Sequence, residues 1–165
     1  MDIFKAIENR YSVRGYQDRA VSREDLEKIL QAGRLAPSAH NSQNYKIVVV
    51  QNQELKDKLA EVTKTPFIAQ APVVLVGVTP NPQNEYWPID MAIIFDHISL
   101  AATALGLGSC WVGSIKDEAK IREIVGAPEG TKARIIMPVG YPGHKPMPKR
   151  RKDFNQIYSK EKYGE

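Results

Sequence analysis

The sequence predicts an α+β domain, and three observations carry that prediction. The first third is helix-heavy, and helices and strands interleave without forming a regular βαβ series. Three β-branched runs of strand length, residues 45–51, 73–79 and 133–139, end against polar, proline or glycine residues. One long apolar segment, Ile89 to Leu107, contains no proline and carries Ile, Leu, Ala, Met and Phe on every helical face. A helix there is expected to be enclosed by protein. Asp90, Asp96 and His97 interrupt it before it reaches the ~20 nearly uncharged residues that a membrane span needs.

Taken in order, Asp2 is placed to cap a short helix through Asn9, with Ile3, Phe4 and Ile7 on one face. An Arg10-Tyr11-Ser12-Val13-Arg14 segment follows and ends at Gly15. Ser22-Arg23-Glu24-Asp25 resembles a capping box with aspartate in place of the usual glutamate. It opens a helix with Leu26, Ile29, Leu30 and Gly33 at helical spacing, which Pro37 stops. Residues 36–44, APSAHNSQN, read as a polar loop of small side chains. A strand over 45–51 and an amphipathic helix over 54–62 come next, then Pro72 and a strand over 73–79. A polar loop over 80–88 contains Tyr86 and Trp87 and leads into the apolar helix, for which Gly106 is the expected left-handed stop. Ser109 to Gly113 is too short and apolar for a solvated loop. A surface helix over 117–125 stops at Gly126, a third strand covers 133–139, and a short helix is expected near 153–158.

At 165 residues the chain is expected to form one domain over 1–165, burying ~70% of its unfolded surface. One cysteine excludes an internal disulfide framework and suits a reducing cytoplasm. The first residues, MDIFKAIENRYSVR, hold no long apolar run behind a basic head, so no signal peptide is expected. A net charge of +4 invites a nucleic-acid partner, but the basic run Lys145–Lys152 lacks interleaved aromatics, and none is expected.

The chemistry-bearing residues narrow the choice further. His40, His97 and His144 are far apart, without HxxxH or CxxC spacing, so a metal centre is not expected. Cys110 lies in an apolar run with no neighbouring base, as a buried structural thiol does. Gly106-Leu107-Gly108 follows a helix rather than a strand and lacks the third glycine of a dinucleotide loop. Arg10, Ser12 and Arg14 place two guanidiniums and a hydroxyl within five residues. With Lys149, Arg150 and Arg151 they either hold one anion from two sides or form solvated faces. The 37–43 loop either offers donors and acceptors to a flat heterocycle or is an ordinary turn satisfied by its own Ser and Asn side chains. Ala101, Ala102 and Ala104 permit the close approach of a second helix. That suits a dimer seam, while the alternative is a monomer's core helix.

The ordered set of segments resembles the FMN-dependent nitroreductases over nearly the whole chain. It comprises RYSVR near the start, APSAHNSQ after the second helix, the aspartate-led helix ending in GLGSCWVG, then EIVGAPEG, PVGYP and a basic proline-containing tail. The resemblance implies a central mixed or antiparallel sheet flanked by helices. It also implies a homodimer with the long helix at its interface, and two shared FMN sites. Arg10, Tyr11, Ser12 and Arg14 would meet the phosphate end, assisted by Lys149 and Arg151. Pro37, Ser38, Ala39 and Asn41 would face the isoalloxazine from the other subunit. The backbone of Val112, Gly113 and Ser114 would lie near its reactive edge, and His40, Tyr86 and Trp111 would face the substrate. The implied chemistry is ping-pong. NADH or NADPH gives a hydride to flavin N5 and leaves, and a nitroaromatic, quinone or similar small acceptor takes its place. Asn44 and Tyr45 stand where many members have proline and tryptophan. Gly113 and Ser114 stand where larger members have glutamate and glycine. The same fold with an enal or a halogenated ring as acceptor is the alternative.

Overall fold

A computed structural model describes residues 1–113, 115–144 and 150–164. Helix α1 (Ile3–Asn9) starts where Asp2 Oδ1 accepts the Lys5 N–H at 3.1 Å. Helix α2 (Arg23–Arg34) starts where Ser22 Oγ accepts the Asp25 N–H at 3.0 Å, the forward half of the expected capping box. Strand β1 (Lys46–Val50), α3 (Gln53–Thr63), a short α4 (Phe67–Gln70) and β2 (Val73–Thr79) follow. The long helix is α5 (Trp87–Ala104), and it leads through Gly106 (φ 77°) into a two-residue strand, β3 (Gly108–Ser109). Helix α6 (Glu118–Ile124) and β4 (Lys132–Gly140) complete the core. A single 3-10 turn, Phe154–Gln156, stands where a short helix was expected near 153–158.

The sheet is antiparallel throughout its named strands, in the order β1-β2-β4-β3. All seven residues of β2 are buried, because this inner strand is covered on both faces. Its side chains alternate between two cores, as the two-residue period of a strand requires. Val73 and Leu75 pack with Ile29, Phe95, Ile98 and Met137 beneath α2 and α5. Val74, Val76 and Val78 pack with Leu59, Ile68, Ile121 and Ile136 beneath α3, α4 and α6. Full burial of Phe95 contributes ~1.5–3 kcal/mol of transfer free energy. Gly77 lets α5 settle on β2, since a Cβ there would stand 2.7 Å from both Met91 Sδ and Phe95 Cε2. Beside Gly77 the ladder slips by one residue. Arg134 has no cross-strand partner, and Glu118 Oε1 takes the Ala133 N–H at 3.0 Å.

Two expectations change. The long helix begins two residues earlier and ends three earlier than the apolar run. Trp87 and Pro88 fit its first turn, where proline's missing N–H costs nothing. Within one chain it is not enclosed on every side. Met91, Ile94, Phe95, Ile98 and Ala102 are buried, while Ile89 is 61% exposed and Leu100, Ala101 and Ala104 line an open apolar groove with Ile3 and Ile7 of α1. Among the described residues no helix is long and apolar enough to cross a membrane.

Candidate functional site

Beyond α1 the chain runs along the sheet edge. The Val13 N–H bonds to Ser109 O at 2.9 Å, Ser12 bridges Ser109 in parallel, and Tyr16 bridges Pro142. Val13 is buried and faces Gly108, where a Cβ would strike its side chain. Alternation along an extended segment then turns Arg10, Ser12 and Arg14 to the opposite side. Among the described residues neither guanidinium nor the Ser12 hydroxyl has a hydrogen-bond or ion-pair partner. The segment is fixed to the start of the basic tail. Tyr11 Oη donates to His144 O at 3.0 Å, the Gly143 N–H donates to Gly15 O at 2.9 Å, and a Cβ on Gly15 would stand 2.9 Å from the His144 ring. Arg150 and Arg151 are exposed. Lys149 and Ser114, both expected at the site, lie outside the described residues.

Tyr16 anchors this edge from below. Its hydroxyl donates to Val13 O at 2.9 Å and Pro138 O at 3.1 Å. Burial pushes the phenol far above its ordinary value, and the nearby Cys110 thiol adds to the shift. Partial burial raises Tyr11 as well. Cys110 is buried, as expected.

Residues 110–112 continue along β4. Val112 exchanges both backbone hydrogen bonds with Ile136, at 2.9 and 3.2 Å, and its side chain is buried. Its amide is therefore committed to the sheet, and in this stretch the Trp111 and Gly113 N–H groups have no backbone partner among the described residues. The Gly113 carbonyl accepts from Ile115. Trp111 sits edge-on to Phe95, with centroids 6.2 Å apart.

The 37–43 loop forms elsewhere. Ser38 precedes a 3-10 turn, Ala39–Asn41, and His40, Asn41 and Gln43 adopt left-handed backbone with φ of 54°, 52° and 48°. Ser38 Oγ accepts the Gln43 N–H at 3.0 Å, and the Ala39 N–H bonds to Asp90 Oδ1 at 2.9 Å. The Asn41 carboxamide and the His40 N–H have no partner among the described residues. His40 meets Tyr86 edge-on at 5.9 Å, so two of the three expected substrate residues lie together, with Trp111 on a different element. Loop and arginine edge are tied to opposite ends of α5, whose 18 residues span about 27 Å.

Two residues that organise the loop were not singled out for a role there by sequence. Asp90 is 4% exposed and sits in the first turn of α5, visible only as a break in an apolar run. Asn44 makes two side-chain bonds to the Asn81 backbone, 2.7 and 3.0 Å, latching the loop to the 80–86 segment. Its replacement of a family proline was the available signal.

An α+β domain with an antiparallel sheet, and along one edge two arginines without partners among the described residues, narrows the class. The nitroreductase family profile matches residues 7–67 and 61–141. The chain belongs to the nitroreductase family. It is 36% identical over 162 residues to an Archaeoglobus fulgidus protein named "Putative NADH dehydrogenase/NAD(P)H nitroreductase", covering 93% of this chain and 89% of the relative. The structure of an FMN-dependent nitroreductase from Clostridium difficile superposes with a TM-score of 0.82 at 30% identity, covering 93% of both chains. That of B. megaterium NfrA2 superposes at 0.92 with 27% identity, covering 99% of this chain and 76% of the other.

Proposed function

We propose that this protein is an FMN-dependent NAD(P)H oxidoreductase that reduces a nitroaromatic, quinone or similar small acceptor by a ping-pong route. The observation that carries this reading is the 10–14 segment, in which the side chains of Arg10, Ser12 and Arg14 alternate with buried Val13 and have no hydrogen-bond or ion-pair partner among the described residues. Two guanidiniums and a hydroxyl are the donor set a phosphate monoester needs, and charge-assisted bonds are roughly twice as strong as neutral ones. Arg151, with Lys149, is expected to close on the phosphate from the tail, which leaves the fold beside Tyr11 and Gly15. The donor set fits FMN. When bound, the flavin supplies two-electron chemistry that the side chains of this chain do not.

The chain's own residues then bind, orient and exclude. Gly113 offers an N–H at the edge beyond the sheet, while Asn41 and the His40 N–H offer polar groups to a flat ring. His40 and Tyr86 form an aromatic wall suited to a planar acceptor. The two halves of this site lie at opposite ends of α5, so a two-fold partner completes each site with its own 37–43 loop. The open groove beside α1 and α5 supports that homodimer, because Ile3 and Ile7 stay exposed and Leu100 is only half-buried in it. The lone buried thiol is in keeping with a cytoplasmic location.

The absorbance spectrum of the purified protein tests the reading. A flavin spectrum, FMN released on denaturation, and anaerobic bleaching by NADH or NADPH are expected. A colourless protein that takes up no FMN would remove it.

A further inference from the structure

We propose that Asp90 is the positioning residue of the 38–43 loop, holding His40 and Asn41 in their ligand-facing arrangement before any ligand arrives. The proposal rests on the assignment of that loop to the flavin and its acceptor.

A carboxylate buried to 4% exposure on an apolar helix is costly unless hydrogen-bonded. Placement in the first turn of α5 relieves part of that cost through the helix dipole. The carboxylate is nonetheless directed outward from its own helix. Oδ1 accepts the Ala39 N–H at 2.9 Å, and Oδ2 accepts the Ser42 hydroxyl at 3.5 Å. The bonded residues bracket His40 and Asn41, whose left-handed backbone is uncommon outside glycine and concentrates at ligand clamps. Gln43, also left-handed, is pinned by Ser38 Oγ. A loop of this kind relaxes toward ordinary backbone unless its surroundings over-determine it.

The connection extends to the aromatic wall. Ser42 Oγ also accepts from Asn84 Nδ2 at 3.4 Å, and Asn84 Oδ1 accepts the Tyr86 N–H at 3.1 Å. Asp90, Ser42, Asn84 and Tyr86 thus form one chain of contacts from the helix to the residue that meets His40. The short bond to Ala39 sets the loop, and the longer ones relate it to Tyr86.

The test compares wild type with Asp90→Ala, Asp90→Leu and Asp90→Asn. Amide exchange is read on the full chain without FMN, and FMN affinity and acceptor KM with it. Asp90→Ala is expected to speed exchange at residues 39–43 by about tenfold or more while β2 amides stay protected. It is expected to weaken FMN by about tenfold and to raise acceptor KM more than it lowers kcat. Asp90→Asn keeps an acceptor for the Ala39 N–H and is expected within about threefold of wild type in each readout. If exchange at 39–43 is unchanged in Asp90→Ala, or rises equally in β2, the proposal is overturned. Should that variant fail to fold, Asp90→Leu decides, because it removes both acceptor oxygens yet keeps a side chain of similar size on an apolar helix. Faster exchange at 40–43 with a raised acceptor KM supports the proposal, and wild-type values in both defeat it. A wild type that binds no FMN removes the flavin reading, while the exchange data still judge Asp90.

Discussion

Arg14→Ala tests the phosphate grip. Arg14 is exposed and has no hydrogen-bond or ion-pair partner among the described residues, so the fold makes little use of its guanidinium. Removing an unpartnered surface side chain changes stability by about 0.5 kcal/mol or less. If Arg14 holds the phosphate, the same change removes one charge-assisted contact, worth ~1.5–3 kcal/mol. At ~1.4 kcal/mol per decade, FMN affinity falls roughly 10- to 100-fold. Lys152→Ala is the control: it is equally exposed and basic, but lies beyond the residues assigned to the site. Its affinity is expected to stay near wild type. Riboflavin, which lacks the phosphate, is expected to bind far more weakly than FMN. The assay is fluorescence titration of FMN-free protein, paired with thermal unfolding without flavin. Wild-type FMN affinity in both variants, or equal binding of riboflavin, would show that the arginines are a solvated face. A large loss of flavin-free stability in Arg14→Ala would show instead that the segment is structural.

Three further outcomes follow from the same geometry. Sedimentation at micromolar concentration is expected to give about 37 kDa, twice the 18.5 kDa chain, and a monomer that retains FMN would contradict the shared site. Initial rates with donor and acceptor varied together are expected to give parallel double-reciprocal lines; intersecting lines would require a second pocket. Tyr16→Phe is expected to cost about 1 kcal/mol at neutral pH through its lost hydrogen bonds. The raised Tyr16 phenol stays protonated in the folded chain while the unfolded one titrates near 10.0, so its contribution is full below that pH and falls above it. Denaturant midpoints between pH 9 and 11 (about one unit either side of the ordinary tyrosine value) are expected to fall more steeply for wild type than for Tyr16→Phe. Equal slopes would show that Tyr16 does not contribute to the pH dependence.

Much of this protein is written locally. Asp2 and Ser22 announced two helix starts because a cap needs only one side chain and an N–H three residues on. Val73–Thr79 matched its strand end to end, because a continuous apolar run between Pro72 and Pro80 fits a strand covered on both faces. The arginine segment, the small-residue loop and Gly106 were all visible in order along the chain. Their family resemblance depended on that order. Other features required the tertiary structure. Strand β3 has two residues and exists only because β4 lies beside it, and α4 is a single turn held against α3. The unbroken hydrophobicity of the long helix did not reveal which face a single chain leaves open, since periodicity is lost when every face is apolar. Nor did residue type mark Asp90 or Asn44, whose roles arise from partners 51 and 37 positions away. Local sequence determined the elements and the chemistry each carries. The packing of α5 on the sheet decided that the arginine edge and the 37–43 loop sit at opposite ends of one helix, because hydrogen bonds between distant segments form only where that packing brings them within about 3 Å.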